Sequence, residues 1–386
     1  MVTYTEVSRK RERTDSDSEL DPVTLRKIQK VGSEEPETES KDAPIILSRS
    51  QSVLSVTDLK EPLAIQSHPV PEISPNEILV HNRAIGLNPI DWKGKKYGFG
   101  IYHFPWINGR ESSGKVVHVG SEVKNVKAGD DVIVSSTSYR DNRTSTFQEY
   151  TAIDSRLVWK LPKSLTYEEG ATIGVGLVTA GIIFYNSFGF QLSEIPEQAD
   201  GYLLIWGGAT VVGIYLTQLA KLYGLKVISI ASLDHKDYLV SLGADHVINR
   251  HLTEAQIVAK IKSIVGEEGI KYGVDCVSKQ TSTIVLDILD QTKSSLSTEP
   301  AQFAGIVGVP KEHPESVEIK EVVIKRFHED LKFGEQFITA TSHFLNKRLI
   351  KPVRYRHYKG GLHIIDNALK DLENKGAKGE KYVVSI

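Results

Sequence analysis

Residues 202–224, YLLIWGGATVVGIYLTQLAKLYG, constrain the fold of this chain more than any other stretch. An apolar run of strand length precedes the paired glycines Gly207 and Gly208, and an amphipathic helix that stops at Gly224 follows them. A second strand, KVISIAS, completes a strand–loop–helix–strand unit of about thirty residues. The N-terminus of such a helix presents free N–H groups and a partial positive charge. The stretch therefore predicts a binding site for the pyrophosphate of a dinucleotide.

The loop of this unit departs from the usual dinucleotide pattern at one position. Thr210 stands where the middle glycine is usual, and its hydroxyl group can donate a hydrogen bond to a phosphate instead. Gly213 allows the helix to pack closely on the strand. An ordinary α/β turn with structural glycines is the simpler alternative. The residues that we expect to contact the cofactor in this region are Gly208, Ala209, Thr210, Val211 and Val212, together with Gly308 further along the chain.

The end of the second strand indicates which dinucleotide binds. A site for NADH usually carries an acidic residue there, which binds the ribose 2′-hydroxyl group. This strand ends in ISIAS, without an acid, and Ser232, His235 and Lys236 follow it as possible donors to a 2′-phosphate. Arg250, just after the third strand, can add a positive charge, whereas Asp234 argues the other way. A polar corner with a helix cap is the alternative, but the balance favours NADPH.

The alternation of strands and helices continues on both sides of this unit. Strand-like HVIN, YGVDCVS and FAGIVGV alternate with amphipathic segments, which indicates a parallel sheet covered on both faces by helices. Upstream, EILVHNRAIGL and DDVIVSS indicate strands of a β-rich domain. The stretch from Thr166 to Phe188 predicts a helix with a capping box between Thr166 and Glu169. The final strand, KYVVSI, is expected to return to the β-rich domain.

These patterns predict an α/β protein in four segments. We expect a disordered tail over residues 1–43, a β-rich domain over 44–175, a doubly wound parallel-sheet domain over 176–335 and a return to the β-rich domain over 336–386. The tail is polar and mixed in charge, so it cannot bury enough apolar surface to offset the entropy of ordering. Its run RKRER at residues 9–13 is either a solvated charge run or a nuclear import signal.

The composition limits the partners of the chain. With 47 basic and 49 acidic residues the formal net charge is -2, which argues against an extended nucleic-acid surface. The single cysteine, Cys276, excludes a disulfide framework and any metal site that needs two thiolates. The apolar runs YLLIW and AGIVGV are far shorter than a membrane span, and the N-terminus has no apolar signal core. We therefore expect a soluble cytoplasmic protein.

Six segments in order resemble the medium-chain dehydrogenase/reductase superfamily, over a region from about Pro44 to Ile386. They are AIGLNPIDWKGKKYG, GIYHFPWINGRESSGKVVHVG, TFQEYTAID, GVGLVTAG, GGATVVGIYLTQLAK and SLGADHVIN. They are most similar to the quinone oxidoreductase branch and to the fungal trans-acting enoyl reductases. The resemblance implies a GroES-like β-rich catalytic domain and a Rossmann cofactor domain. It also implies a protein that acts on a small molecule, as a monomer or a homodimer.

The zinc-dependent alcohol dehydrogenases of this superfamily carry metal ligands that the chain lacks. Their catalytic cysteine lies in the loop aligned with LNPID at residues 87–91, and their histidine before a glutamate aligns with Arg110 before Glu111. Their structural zinc needs four cysteines. The resemblance therefore implies no metal site, and reduction rather than zinc-dependent alcohol oxidation. Arg110 is expected to place a fixed charge near the cleft, where it either attracts an anionic substrate or pairs with an acid.

The resemblance also implies which residues surround the nicotinamide. Asn88 and Asp91 are expected to line the cleft, although N-P-x-D is also a good turn. Thr179 is expected to bond or pack beside the ring. Tyr102 matches the position of a proton-donating tyrosine in related enoyl reductases, and a phenol, being protonated at neutral pH, suits that role. Tyr97 is a rival donor, and a purely structural role for Tyr102 stays open.

The expected function is that of an NADPH-dependent, zinc-independent reductase. Its acceptor is expected to be an activated alkene, such as an enone or an enoyl group, or a quinone. The alternative is a catalytically weak, reductase-like binding or scaffold protein that uses the N-terminal tail for partner contacts.

Overall fold

A computed structural model describes residues 49–386 of the chain, so the predicted tail over residues 1–43 lies outside the described residues. The strands within that range are β1 (Ser50–Val56), β2 (Ala64–Pro69), β3 (Glu77–Leu87), β4 (Trp106–Ile107), β5 (Glu111–Val119), β6 (Asp131–Ser135), β7 (Tyr150–Asp154), β8 (Val158–Lys160), β9 (Tyr202–Trp206), β10 (Lys226–Ala231), β11 (His246–Asn249), β12 (Tyr272–Asp275), β13 (Ala301–Gly305), β14 (Val317–Ile319), β15 (Tyr355–Lys359) and β16 (Lys381–Ser385). The α-helices are α1 (Pro89–Tyr97), α2 (Tyr167–Gly170), α3 (Gly174–Gly181), α4 (Val211–Leu222), α5 (Lys236–Ser241), α6 (Glu254–Val265), α7 (Lys279–Gln291), α8 (Arg326–Glu329), α9 (Leu331–Asn346) and α10 (Ile365–Lys375).

The second domain is a parallel sheet in the order β11-β10-β9-β12-β13-β14. Every residue of β9 is buried, because successive side chains point to opposite faces and helices cover both. Leu203 and Ile205 pack in the core cluster that contains α3 and α4, whereas Leu204 packs in the cluster that contains α6 and α7. The strand order reverses between β9 and β12, where open α/β sheets bind their ligands. The predicted Rossmann architecture is confirmed.

The first domain contains a seven-stranded sheet in the order β15-β16-β3-β5-β6-β8, with β7 also paired to β3. A smaller sheet has the order β2-β1-β4. The predicted run EILVHNRAIGL forms β3 over its whole length. The expected return of the last strand is also confirmed, since β16 pairs antiparallel with β3 and places Val384 opposite Ile85.

The helix predicted after the β-rich domain is only partly present. The capping box is confirmed: the Thr166 hydroxyl accepts from the Glu169 N–H at 3.2 Å, and the Glu169 carboxylate accepts from the Thr166 N–H at 2.9 Å. The prediction of one uninterrupted helix is wrong, because α2 and α3 are separate and the run ends in a π-helix at Ile182–Ser187. At Gly174 a Cβ atom would lie 2.9 Å from the Cβ of Glu111, so the break allows α3 to pack onto β5.

This helical run also corrects the expectation that no stretch is long enough for a membrane span. Among the described residues, Tyr167–Ser187 is the one helical stretch with sufficient length and apolar composition. However, 89% of its apolar window is buried inside the protein, and Leu177 and Ile183 belong to the main hydrophobic core. The run is therefore placed as the core helix of a folded domain.

The N-P-x-D segment forms the start of a helix rather than an isolated turn. Asn88 is the N-cap of α1, and Pro89 occupies the first helical position, where its missing N–H group costs nothing. The Asp91 carboxylate accepts a hydrogen bond from the Asn88 N–H at 2.8 Å. Gly98 ends the helix with a left-handed φ of 73°.

A buried ion pair joins the end of the chain to the first domain. Lys381 at the start of β16 is 2% exposed and contacts Glu111 at the start of β5, which is 0% exposed. The Glu111 Oε1 atom also accepts from the Asn88 amide at 2.7 Å, and its Oε2 atom accepts from the Val175 N–H at 3.0 Å. Lys381 donates to the Asn88 Oδ1 atom at 2.7 Å. The polar groups of this cluster are satisfied by one another, which offsets the cost of burying two charges.

Replacing one partner of this pair is expected to unfold the first domain more easily. Lys381→Met leaves Glu111 as an uncompensated buried charge, so the free energy of unfolding should fall by about 3 to 5 kcal/mol. The control is Lys370→Met, which breaks the exposed pair with Asp366 on α10 and should cost less than about 1 kcal/mol. Chemical denaturation measures both values. Equal losses in the two variants would contradict the role assigned to Lys381.

Candidate cofactor and substrate site

Hydrogen bonds of the Thr210 side chain hold the loop between β9 and α4 in place. Gly207 makes the turn with a left-handed φ of 85°, and its N–H group donates to the Ile230 carbonyl at 3.1 Å. The Thr210 hydroxyl accepts from the Gly213 N–H at 3.1 Å and donates to the Gly207 carbonyl at 2.8 Å. The hydroxyl group that was expected to donate to a phosphate therefore serves as the N-cap of α4.

The same loop leaves backbone donors for an anion. Within residues 49–386, no hydrogen bond uses the N–H groups of Ala209, Val211 or Val212, which lie at the loop and in the first turn of α4. Helix N-termini leave such donors open and add a partial positive charge. The residues present therefore fit the pyrophosphate of a dinucleotide.

Two glycines bring the loop and the helix close to the sheet. A Cβ atom on Gly208 would lie 1.6 Å from the Ser229 Oγ atom, and one on Gly213 would lie 2.5 Å from the Gly207 carbonyl oxygen. The close packing expected at Gly213 is confirmed. Any larger residue at these two positions would push the helix N-terminus away from the ends of the strands.

The residues predicted to select the cofactor gather at the end of β10. The Arg250 N–H group donates to the Ala231 carbonyl at 2.9 Å, which places Arg250 directly beside that strand end. The Ser232 hydroxyl donates to the Asp234 carboxylate at 3.3 Å, and Lys236 opens α5. The corner therefore combines two exposed basic residues with one exposed acid.

His235, between Asp234 and Lys236, contacts a turn from the last segment of the chain. A Cβ atom on Gly379 would lie 3.0 Å from the His235 Nδ1 atom, so the ring packs against the turn that precedes β16. This neighbour belongs to the last segment of the chain, and the local sequence around His235 gave no signal for it.

The sequence analysis missed an acid in the crevice where the strand order reverses. Asp275 ends β12, and its Oδ1 atom accepts from the N–H groups of Val277 at 3.0 Å and Ser278 at 2.9 Å. Burial raises the pKa of Asp275. The predicted contact Gly308 lies after the neighbouring strand, where its carbonyl accepts from the Ser282 hydroxyl at 2.7 Å.

Asn88 and Thr179 have their side chains occupied. Both ends of the Asn88 amide bond to the buried Glu111–Lys381 pair. The Thr179 hydroxyl donates to the Val175 carbonyl at 2.7 Å, and the residue is 7% exposed. These two residues, which were predicted to lie near the nicotinamide, thus take part in internal hydrogen bonds. Asn88 bonds to the Glu111 carboxylate directly, and Thr179 is linked to it through Val175.

Asp91 presents an unpaired oxygen to the interior. Its Oδ2 atom caps α1, whereas its Oδ1 atom is buried and has no hydrogen-bond partner among the described residues. Burial raises the pKa of Asp91 to about 6, and the hydrogen bond from Asn88 and the charges of Arg110 and Lys381 oppose this only in part. The carboxyl group is therefore partly protonated in weakly acidic solution.

Arg110 lies beside Asp91 at the turn between β4 and β5. It is 3% exposed, and its guanidinium carbon lies 4.5 Å from the centre of the Tyr139 ring. Burial lowers the pKa of Arg110, and the charges of Asp91, Tyr139 and Tyr102 act in the opposite direction. An arginine keeps its proton in proteins, so a positive charge persists at this position.

The two candidate proton donors lie at the end of α1 and just beyond it, since Tyr97 is the last residue of the helix and Tyr102 lies on the loop that follows. Tyr102 is 54% exposed, with its ring 5.3 Å from Trp106 and 5.5 Å from the guanidinium carbon of Arg140. Tyr97 is 66% exposed and packs on Trp92 at 6.4 Å. Of the two, Tyr102 is the one whose charge opposes the lowering of the Arg110 pKa by burial.

The part of the chain that the structure describes contains no group of three or more His, Cys, Asp or Glu side chains placed to hold a metal ion. At the two places where the alcohol dehydrogenases are expected to carry ligands, the chain has the α1 cap and Arg110.

Comparisons with known proteins agree with this architecture. The alcohol dehydrogenase GroES-like domain matches residues 74–163, and the zinc-binding dehydrogenase family matches residues 211–294. The trans-enoyl reductase tndF of Aspergillus flavipes is 30% identical over 341 residues, which cover 84% of this chain and 96% of that protein. A mycobacterial quinone oxidoreductase superposes with a TM-score of 0.68 at 24% identity, covering 87% of this chain and 100% of the other. The mycobacterial protein Rv1454c, solved in complex with NADPH, has a TM-score of 0.69 at 23% identity, with coverage of 87% and 100%.

The fold and these matches define the class: an oxidoreductase with a GroES-like domain and a Rossmann domain. The chain belongs to the medium-chain dehydrogenase/reductase superfamily, and trans-enoyl reductases are among its relatives.

The buried Asp91 carboxyl group predicts a particular dependence of stability on pH. Because the pKa of Asp91 is raised from 3.8 to about 6, the folded protein binds its proton more tightly than the unfolded chain does. The resulting stability is complete below pH ~4 and is lost as the pH rises through ~6. The side chain of Asp91→Asn cannot ionise. The difference in unfolding free energy between this variant and the wild type should therefore shift by about 2 to 3 kcal/mol in favour of the variant between pH ~4 and pH ~8.

Asp371→Asn provides a control of the opposite sign. Hydrogen bonds from Lys375 and Tyr358 lower the pKa of Asp371, so its contribution is present at neutral pH and lost in acid. Denaturation curves should show Asp371→Asn losing stability relative to the wild type as the pH rises to ~4 from more acidic values, with a nearly constant difference between pH ~4 and pH ~8. A constant difference between Asp91→Asn and the wild type would disprove the assignment of Asp91.

Proposed function

We propose that this protein is a zinc-independent, NADPH-dependent reductase of small molecules with an activated alkene or a quinone group. The observation that carries the proposal is the pairing of an anion-binding loop with a basic corner, where Lys236 and Arg250 lie at the end of β10. NADPH supplies a hydride when it is bound. The similarity to a trans-enoyl reductase supports the reaction class, and the neighbour solved with NADPH supports the cofactor.

Separate groups of residues bind the cofactor, bind the substrate and donate the proton in this proposal. Ala209, Val211 and Val212 hold the pyrophosphate through their N–H groups, and Lys236 with Arg250 binds the 2′-phosphate. The cleft around Asp91, Arg110 and Tyr102 receives the substrate, and the Tyr102 hydroxyl donates the proton that completes alkene reduction. Zinc independence rests on the residue types at the positions aligned with zinc ligands, Leu87–Asp91 and Arg110.

A substrate panel tests the reaction. Purified protein is incubated with NADPH and either 2-enals, enones or quinones, and the loss of NADPH absorbance is followed. We expect turnover with at least one of these classes, and we expect it to survive dialysis against EDTA because no step uses a metal. Loss of activity on metal removal, with recovery on adding zinc, would reject zinc independence. Tight NADPH binding without turnover of any member would favour the binding or scaffold protein.

Removing the basic corner should weaken NADPH binding selectively. The double variant Lys236→Ala/Arg250→Ala loses two charge-assisted bonds to the 2′-phosphate, so NADPH affinity should fall by about 10- to 100-fold while NADH affinity changes little. Lys226→Ala is the matched control, since Lys226 pairs with Glu268 at the opposite end of β10. Quenching of tryptophan fluorescence measures each dissociation constant. Wild-type protein that binds NADH tenfold more tightly than NADPH would overturn the cofactor assignment.

A further inference from the structure

Arg110 is a buried cation without an ion pair. Its side chain is 3% exposed, and its Nη1 atom has no hydrogen-bond partner among the described residues. None of the ion pairs within residues 49–386 includes it. A buried charge ordinarily has a partner, because its desolvation is costly otherwise. The Arg110 Nη1 atom is therefore a buried donor that the described residues leave without a hydrogen bond.

The fold holds this guanidinium in one place. Gly109 precedes it with a left-handed φ of 92°, and a Cβ atom there would lie 2.3 Å from the Phe147 ring. The Arg110 carbonyl accepts from the Ser136 N–H at 2.7 Å, and the Tyr139 ring lies against the guanidinium. Stacking on a ring face leaves the N–H groups at the edge of the guanidinium plane free to donate.

A second unsatisfied atom borders the same region. The Oδ1 atom of Asp91 is buried without a partner, and the charge of Asp91 acts on Arg110 without forming an ion pair. Two groups of opposite charge thus lie near each other with one bonding position open on each. A polar atom of a substrate would supply the bond that each of these groups lacks.

We propose that Arg110 is a catalytic residue that binds the carbonyl oxygen of an α,β-unsaturated substrate and stabilises the negative charge that develops there. This inference rests on the proposed function, and it selects conjugated carbonyl compounds among the possible acceptors. A fixed donor in a buried site stabilises developing charge more than the same donor does in water.

The electron flow of the step balances on the substrate. Hydride from NADPH forms a C–H bond at the β-carbon, and NADPH is oxidised to NADP⁺. The alkene π pair moves to form a new bond between the α-carbon and the carbonyl carbon, and the carbonyl π pair moves onto oxygen. Arg110 binds the resulting enolate oxygen. A proton then reaches the α-carbon, the C=O bond re-forms and the saturated carbonyl compound leaves.

Two substitutions test this role with trans-2-hexenal as substrate. Arg110→Met keeps much of the apolar stem but removes the donor, so single-turnover hydride transfer should slow on the order of 100-fold or more. Arg110→Lys should retain part of the rate because it keeps the charge. Arg156→Met, which breaks the ion pair with Asp154 in the turn after β7, should react at the wild-type rate. NADPH affinity should be the same in all four proteins.

A binding measurement tests the same role without turnover. The carboxylate trans-2-hexenoate resembles the enolate in charge and shape, and isothermal titration calorimetry follows its binding to each protein in the presence of NADP⁺. We expect Arg110→Met to bind it at least tenfold more weakly than the wild type and the Arg156→Met control do. Added methylguanidinium should restore part of the binding to Arg110→Ala, which a purely structural role would not allow.

The outcomes separate this inference from the proposed function. If hexenal is reduced at the wild-type rate by Arg110→Met and hexenoate binding is unchanged, Arg110 is not the electrophile although the reductase stands. Failure of the wild type to bind hexenoate overturns the inference as well. Arg110-dependent hexenoate binding in a protein that reduces nothing supports the anion site and rejects the reductase. If Arg110→Met does not fold, Arg110→Lys and the rescue of Arg110→Ala decide between these outcomes.

Discussion

The buried pair of Glu111 and Lys381 is the interaction on which the arrangement of the cleft depends. One carboxylate is shared among Lys381 of the last strand, Asn88 at the start of α1 and the N–H group of Val175 in the first turn of α3. Three segments that are distant in sequence therefore meet at one side chain. Arg110 directly precedes Glu111 in the chain, so the contacts that hold Glu111 also fix the backbone from which the Arg110 side chain extends.

The sequence predicted the second domain well because its signals are local. The strands YLLIW and HVIN have the predicted bounds, since each is a short apolar run between clear turn residues. The helix over Thr166–Phe188 was less well predicted, because its glycines are tolerated in a helix pattern and only the approach to Glu111 explains the break. Periodicity reports which side of an element is buried, but it does not report what that side meets.

The candidate site also contains parts that local sequence patterns indicate and parts that depend on residues distant in sequence. The nucleotide loop and the corner at Ser232 and Lys236 were predictable, since each occupies one continuous segment. The partners of Asn88 were not, because Lys381 lies 293 residues further along the chain and no local pattern links the two. Arg110 stood out through its residue type, but its burial and its free N–H group depend on Tyr139 and Phe147 from a later loop.

The closure of the nucleotide loop by Thr210 has a thermodynamic consequence. Since the Thr210 hydroxyl group donates one hydrogen bond and accepts another within the protein, the protein itself holds the loop in one shape. Little conformational entropy is then lost on association, and the contacts with the dinucleotide translate into affinity without a large ordering cost. Under the proposed function, the exchange of oxidised for reduced cofactor between turnovers would then need no refolding of the loop.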